Sequence, residues 1–473
     1  MHNAESFERS PSWGHTTYHG ERGARSADAG PARAGGEATH GEATDGARKH
    51  LAYAPGLDGV RAIAVTAVVV FHLGATWLTG GFLGVDVFFT LSGFLITSIL
   101  LTEFYARGRI DIKNFYLRRA RRLLPALFTM LAAITLLTWL FARDEMYRLR
   151  GDVIAALTYC TNWTQIVWNR GYFAQLGRPS LLQHLWSLAV EEQFYVLWPL
   201  ILVAGLAMRK RWGVLAIPVV LTAVSLLLMG AMFHAGQDPA RVYYGTDTHI
   251  SPMLIGATLA IIVAMRRNAG LDRERRGGRL ATDLAALIGL LGLAWAAVHI
   301  TYYSAGLYQG GYLLVGVGSA ALIYAAARAG TITARLLGWA PLIWIGQRSY
   351  AIYLWHWPIL MLTRPGVDIH WPRPVVIVLQ VAATLIASDL SFRYIERPIR
   401  SRGFLNFLRG GTSAEHRRRD STRASSNRTV TTGTVITAVF ALVAATLVSA
   451  PSAAPAGIQV DHSKRITIKI PST

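Results

Sequence analysis

Long apolar stretches separated by short polar connections fill the chain from residue 57 onwards. Each of the ten strongest is roughly 20 residues long, the length that a helix needs to cross the hydrocarbon core of a bilayer. An eleventh follows at 430–450. The pattern predicts an all-α, polytopic membrane helical bundle of ten core transmembrane helices plus one C-terminal transmembrane helix. The ten core helices are expected at 57–78, 83–103, 123–142, 187–207, 213–233, 250–265, 282–300, 311–327, 340–361 and 375–392.

One segment, 148–168, breaks this pattern. It is partly apolar, but Asp152, Asn162, Thr164 and Gln165 make it a poor membrane span. Treating it as a span would also invert the orientation of everything that follows. We therefore expect it to be a re-entrant or interfacial element on the outer side.

Composition and charge support a membrane protein and set its orientation. Of the 473 residues, 52% are hydrophobic and only 16% are charged, while the net charge is +20. With a cytosolic N-terminus, the inner connections hold 28 Lys and Arg and the outer ones eight. We interpret the charge as topology in a multi-pass cell-membrane protein, not as binding of nucleic acid. The single cysteine excludes an internal disulfide, and no spacing of His or Cys predicts a metal site.

The flanks of the apolar region differ from it in composition. Residues 1–50 contain almost no aliphatic side chains and are expected to form a disordered cytosolic tail. The membrane domain is expected at 51–402 and a basic cytosolic linker at 403–429. The extra helix at 430–450 would then leave a short extracytoplasmic tail at 451–473.

The first apolar stretch carries Arg61 and His72, eleven residues apart. At about 100° per residue these two side chains share one helical stripe, and Asp58 lies three residues before the arginine. Ionisable groups in a membrane segment usually mark a functional site, and a neutral imidazole can accept a proton. The structural alternative is an Asp-Arg pair at the interface and a histidine bonded to a neighbouring helix.

Three carboxylates enter predicted spans from the outer side. Asp86 follows a glycine-rich turn, and Glu191 and Glu192 lie just inside the fourth span. Buried carboxylates need partners, and a glutamate facing His72 would orient a general base. Asp86 is expected as an orienting or hydrogen-bonding group. The structural alternative is helix capping or dipole compensation for Asp86, and helix capping or pairing with Arg170 or Arg178 for either glutamate.

A basic cluster, RRARRLLP, stands at the inner end of the second span. Its arginines could clamp a phosphorylated ligand, because guanidinium groups bind phosphate bidentately, and Pro125 is expected to disrupt the start of the next helix. Topology alone also accounts for such a cluster. The cluster consists of Arg118, Arg119, Arg121 and Arg122.

Further polar and aromatic side chains accompany these groups. His184 and Trp186 precede the fourth span, and His356 lies between two tryptophans in the ninth. Interfacial anchoring explains the tryptophans but not the histidine. The topology places one set of side chains at a shared outer level, namely His72, Asp86, His184, Glu191, Glu192 and His356.

These motifs together resemble the acyltransferase-3 family of integral membrane O-acyltransferases. They are the Arg-His pair of the first span, GVDVFFTLSGFLI, RRARRLLP, HLWSLAVEEQFYVLWP, SYAIYLWHWP and YIERPIR, in that order over roughly residues 51–402. The resemblance implies a ten-helix domain that moves an acyl group, usually acetyl from acetyl-CoA on the cytosolic side, to a hydroxyl of a cell-surface or exported glycan or related acceptor.

The resemblance also implies roles for individual residues. His72 matches the essential histidine, acting as general base or acyl relay, and Arg61 is its partner. Acidic motif positions match Asp86, Glu191 and Glu192. Arg119 and Arg122, with Arg118, match the motif expected to hold the phosphates of CoA; no metal is implied. His184, Trp186 and His356 are weaker candidates for substrate contact.

Many relatives carry a fused extracytoplasmic hydrolase-like domain of the SGNH type after an extra span. Only 23 residues follow 430–450 here, so we expect the membrane domain itself, or a separate partner, to complete the transfer. A proton-coupled transporter or flippase for a glycolipid is the alternative function. It would show an inverted repeat of interrupted helices, and the sequence has no such symmetry. A non-catalytic membrane scaffold, the remaining alternative, would tolerate loss of His72.

Overall fold

The computed structural model describes residues 53–170, 178–208, 211–270 and 276–402. Within these ranges the chain forms helices and no named strand. The long helices are α1 (Pro55–His72), α2 (Gly84–Arg107), α3 (Ile112–Phe141), α6 (Leu185–Ala207), α7 (Arg211–Met232), α10 (Ser251–Asn268), α11 (Arg276–His299), α12 (Tyr312–Ala327), α14 (Ala340–Leu362) and α15 (Arg373–Ser391). Shorter helices connect them: α4 (Met146–Leu157), α5 (Thr161–Val167), α8 (Ala240–Tyr244), α9 (Thr246–His249), α13 (Ile332–Leu337) and α16 (Arg397–Arg402).

The long helices of the described ranges correspond one to one with the ten predicted core spans. Eight of them are long and apolar enough to cross a membrane; α10 and α14 are not among these eight. The protein is a multi-pass membrane protein with an all-α bundle, as predicted, while the number of spans stays a prediction. The predictions for 1–50, 403–429, 430–450 and 451–473 lie outside the described residues.

Several helix bounds differ from those of the predicted spans, and at two helices the cause is visible. The first helix ends at His72 and not at residue 78, because the chain turns at Gly74, where φ is +80°. The third helix begins at Ile112, capped by Asp111, whose side chain accepts from the backbone N–H of Asn114 at 3.0 Å. It continues through Pro125, so this proline does not disrupt a helix start, and the basic cluster lies within α3.

The segment 148–168 folds as parts of the short helices α4 and α5. These helices have 12 and 7 residues, and a spanning helix needs about 20. Neither is therefore long enough to cross a bilayer alone. Whether the segment re-enters the membrane or lies at its surface stays a prediction.

Glycine contacts hold the central helices together. An added Cβ at Gly93 of α2 would collide with the backbone carbonyl of Met253 in α10, and one at Gly256 of α10 would collide with the carbonyl of Thr90. Such close backbone approach is typical of small-residue packing between membrane helices.

A similar close glycine contact joins α1 to α14. A Cβ at Gly346 would collide with the backbone of Asp58, so the two helices touch near the start of each. From this contact both helices run toward the same end of the bundle. Their later residues His72 and His356 are thereby brought together.

Candidate functional site

The two histidines at the ends of α1 and α14 form a direct pair. The Nδ1 atom of His72 lies 3.0 Å from the Nε2 atom of His356, and the rings are stacked with centroids 5.2 Å apart. The Trp357 ring makes a T-shaped contact with the His72 ring, with centroids 4.8 Å apart. His72 is half-buried, whereas His356 is fully buried. The structure thus holds His72 against protein on at least two sides.

The hydrogen bonds of this pair fix which nitrogen carries each proton. The Nδ1 atom of His356 lies 2.7 Å from the carbonyl oxygen of Tyr353, and a carbonyl can only accept. Neutral His356 therefore donates from Nδ1 and accepts at Nε2. His72 must then donate from Nδ1, which leaves its lone pair on Nε2. This tautomer is the one that a general base at Nε2 requires.

A third histidine adjoins the pair. His184 lies with its ring centroid 5.7 Å from that of His356, and its Nε2 donates to the carbonyl of Leu354 at 3.2 Å. The Tyr353 hydroxyl lies 2.7 Å from the carbonyl oxygen of His184 and 2.6 Å from the Ser187 hydroxyl. The start of α6 is therefore bonded to the same turn of α14 that orients His356.

A cavity of about 730 Å³ opens among α1, α2, α3, α6 and α14. Arg61, Arg119 and Arg122 line it, together with the single acidic side chain of its described wall, Glu191. The cavity extends to Tyr353, beside the histidines. We call it the Arg119 cavity. Its excess of guanidinium groups suits an anionic ligand such as a phosphate ester.

The structure separates the arginines that the sequence grouped together. Arg119 and Arg122 line the cavity, whereas Arg118 is exposed and pairs with Glu103 at 3.3 Å. Consecutive helical residues lie about 100° apart, so one face of α3 cannot present all of them. Arg61 joins the set from α1, where it is paired with Asp58 at 3.0 Å.

The acidic side of the Arg119 cavity is a bonded cluster. Glu191 accepts hydrogen bonds from the hydroxyls of Ser92 and Tyr195. The guanidinium of Arg119 covers the Tyr195 ring at 3.7 Å and interacts electrostatically with Glu191 and Glu192. The two glutamates therefore orient an arginine and a tyrosine at the cavity wall.

The expected pairing of a glutamate with His72 is wrong. Glu191 bonds Ser92 and Tyr195, and the group that orients His72 is the imidazole of His356. The helix rise explains the difference: Glu191 lies seven residues beyond His184, roughly 10 Å further along α6. The single outer level predicted for all of these groups does not exist.

Asp86 pairs with a histidine that the sequence analysis did not single out. Its Oδ1 lies 2.8 Å from Nε2 of His249, and both side chains are fully buried. The Nδ1 of His249 donates to the carbonyl of Tyr243 at 2.6 Å. Trp186 stacks on His249 with ring centroids 5.7 Å apart, and its role as a substrate contact stays a prediction.

A second cavity, of about 720 Å³, begins at His72. Arg364, Arg373 and Gln380 contribute its polar wall, and we call it the Arg373 cavity. It shares no described wall residue with the Arg119 cavity. Arg61 and His72, one in each wall, are about 16 Å apart along α1. The histidines lie between the two spaces.

Sequence reasoning missed three residues of this arrangement. Tyr195 follows Glu191 by four residues, a helical spacing at which side chains meet, so it could have been found. Ser92 is 99 positions from Glu191, so no local spacing links the two. His249 is 163 positions from Asp86, and no local pattern could have linked them.

The comparisons with known proteins agree with this architecture. The model of the acyltransferase domain of the acyltransferase-3 family matches residues 55–393. The chain belongs to the acyltransferase-3 family. The suspected family is thereby confirmed, and the matched region contains both histidines and both cavities. No solved structure shows a significant match to the chain.

Curated relatives of this acyltransferase-3 protein have the same region. It is 42% identical over 364 residues to a putative peptidoglycan O-acetyltransferase, YrhL, of Bacillus subtilis. It is 41% identical over 359 residues to the peptidoglycan O-acetyltransferase OatA of Listeria monocytogenes. Each alignment covers 76% of this chain and 57% of the relative. The matched region thus spans little more than half the length of these relatives.

Proposed function

We propose that the protein is a membrane O-acetyltransferase that moves an acetyl group from acetyl-CoA to a hydroxyl of a cell-surface glycan, with peptidoglycan as the first acceptor to test. Family membership supports acyl transfer over the transporter alternative, and the relatives' names support acetyl and peptidoglycan. The observation that carries the mechanism is the hydrogen-bonded series from the Tyr353 carbonyl through His356 to His72.

In this proposal CoA enters the Arg119 cavity from the cytosol. Arg119 and Arg122 would hold its phosphates, and the thioester would point toward Tyr353 and the histidines. The relatively apolar remainder of the wall, which includes Val85, Phe88 and Leu95, suits the uncharged arm of the cofactor. The acceptor would approach from the Arg373 cavity.

His72 supplies the base. Its Nε2 lone pair takes the proton of the acceptor hydroxyl as that oxygen attacks the thioester carbon, and the carbon–sulfur bond then breaks to release CoA as thiolate. His72 is the last residue of α1, and the negative end of the helix dipole stabilises the imidazolium that forms. An acetyl-histidine relay would use the same nitrogen as nucleophile.

The test is acetyl transfer by the full chain in nanodiscs. Radiolabelled acetyl-CoA and soluble peptidoglycan strands are supplied, and acetylated sugars are identified by mass spectrometry. His72→Ala and His72→Gln should both abolish transfer while keeping a monodisperse, folded protein. Transfer that persists in both variants would refute the role of His72. Absence of transfer in the unchanged protein, across a panel of glycan acceptors, would refute the function.

A further inference from the structure

The Arg373 cavity has a charge that acyl transfer to a neutral sugar does not require. Arg364 and Arg373 both line it, and no acidic side chain belongs to its described wall. Gln380, in the same wall, donates from Nε2 to the carbonyl and hydroxyl oxygens of Thr363 at 2.9 and 3.0 Å. A concave, basic surface with His72 at one side is therefore available to a ligand.

The other arginines near the Arg373 cavity have carboxylate partners in ion pairs, whereas Arg373 has none among the described residues. Asp368 pairs with Arg364 at 3.0 Å and with Arg178 at 2.6 Å. Arg178 also approaches Glu145 at 3.7 Å. The described ion pairs thus give Arg178 and Arg364 carboxylate partners, and none of them includes Arg373.

Arg373 lies close to His72, the proposed base. Its Nη2 makes a long contact of 3.4 Å to the carbonyl oxygen of Gly74, two residues beyond His72. This contact uses one of five guanidinium N–H donors. The remaining donors, in a planar fork, suit a carboxylate or phosphate oxygen pair. An acceptor bound there by an anionic group would have neighbouring hydroxyls close to His72.

We propose that the Arg373 cavity is the acceptor subsite and that it selects a hydroxyl-bearing sugar that also carries an anionic group, which Arg373 binds. The inference rests on the proposed function and names the acceptor class for that site. A neutral sugar would leave the guanidinium without a counter-charge and would bind more weakly.

A thiol reporter can measure the charge without using acetyl transfer. Cys160 is the single cysteine, so Cys160→Ser with Leu73→Cys places one thiol in the wall of the Arg373 cavity. The full chain is placed in phosphatidylcholine nanodiscs, and its reaction rates with anionic and cationic methanethiosulfonates of similar size are compared. We expect Arg373→Gln to lower the anionic-to-cationic rate ratio about tenfold, because one nearby charge acts on the two reagents oppositely.

Two further variants isolate the position and the charge. Arg393→Gln removes an exposed arginine just beyond the opposite end of α15 and should leave the ratio unchanged. Arg373→Lys keeps a positive charge at this position and should therefore keep most of the anionic-to-cationic rate ratio. Met361→Cys, in the same cavity wall, repeats the measurement with a second reporter if Leu73→Cys fails to fold.

Protection of the thiol then identifies the ligand class. Methyl glucuronide and methyl glucoside differ by a carboxylate in place of a hydroxymethyl group. We expect only the glucuronide to slow modification, and only while Arg373 is present. Equal protection by both sugars, protection by neither, or a ratio unaffected by Arg373→Gln would overturn the proposal. Loss of glucuronide protection in phosphatidylglycerol nanodiscs would also overturn it, in favour of a lipid headgroup.

These readouts separate the two proposals. Neither the rate ratio nor the protection depends on acetyl-CoA. If no glycan of the acceptor panel is acetylated but the thiol behaves as expected, the acyl-transfer proposal fails by itself. If acetylation proceeds and the thiol ratio is insensitive to Arg373, the acceptor inference fails by itself.

Discussion

The role of His356 can be tested by removing its acceptor nitrogen while keeping its ring. His356→Phe preserves an aromatic side chain at a fully buried position but offers no acceptor to Nδ1–H of His72. That donor would lose its 3.0 Å hydrogen bond, and the imidazole would be free to rotate or to change tautomer. Both outcomes withdraw the Nε2 lone pair from the acceptor hydroxyl.

The size of the effect follows from the bond that is lost. Leaving a buried donor without its partner costs about 1–3 kcal/mol, which corresponds to a fall in rate of about 5- to 150-fold. The effect should appear in kcat, because the arginines proposed to hold CoA line the Arg119 cavity, away from His356. His356→Gln, whose amide can reach a similar position and accept, should keep more activity than His356→Phe.

The assay is steady-state acetyl transfer by purified protein in nanodiscs, measured over a range of acetyl-CoA concentrations so that kcat and KM are obtained separately. Thermal melting of each variant controls for damage to the fold. A His356→Phe protein with unchanged kcat would refute the proposed tautomer control. A rise in the KM for acetyl-CoA at constant kcat would refute it equally, because His356 would then act through donor binding.

Three further outcomes follow from the structure. Arg119→Ala should raise the KM for acetyl-CoA roughly tenfold or more, whereas Arg118→Ala should leave it nearly unchanged, since only the first lines the cavity. Gly93→Ala should lower the melting temperature by several degrees, whereas Gly292→Ala, whose Cβ meets no atom within 4 Å, should not. Burial raises the pKa of Asp368, but hydrogen bonds from one arginine and the charges of two hold it below its usual value. Its contribution to stability should therefore be complete above about pH 4 and disappear as the pH falls through the lowered pKa, as seen in pH-dependent melting.

Each of these predictions can fail clearly. Equal effects of the two arginine variants would remove the assignment of the Arg119 cavity to CoA. A stable Gly93→Ala protein would show that α2 and α10 can separate without loss. The Asp368→Asn protein should lack the acid-dependent part of the melting curve, and an unchanged curve would contradict the ion-pair account.

The helices were predictable because the length and apolar composition of each stretch are enough to favour a membrane helix there. The stretch at 83–103, for example, became α2 with nearly the predicted start, since apolar length alone decides such a helix. The end of α1 was harder to place, because LGATWL is apolar yet Gly74 turns the chain.

The site was only partly predictable, because it depends on how helices rotate and how far residues lie along them. The sequence identified His72, His356 and Glu191 as candidates, but it paired His72 with a carboxylate. Two contacts decide otherwise: Gly346 against Asp58 brings His356 to His72, and the rise of α6 carries Glu191 away. The first is a tertiary contact that periodicity does not contain, and the second decides the distance only once the start of α6 is known to lie beside Tyr353.

The separation of the two cavities has an electrical consequence. In the proposed reaction the hydroxyl proton leaves toward the Arg373 cavity, while the thiolate of CoA takes up a proton on the Arg119 side. Each acetyl group delivered is then equivalent to one positive charge moved across the membrane. A potential of 100 mV, negative on the CoA side, opposes that movement by about 2.3 kcal/mol. We therefore expect turnover to be slower in a cell whose membrane potential is negative on the CoA side than in a vesicle without a membrane potential.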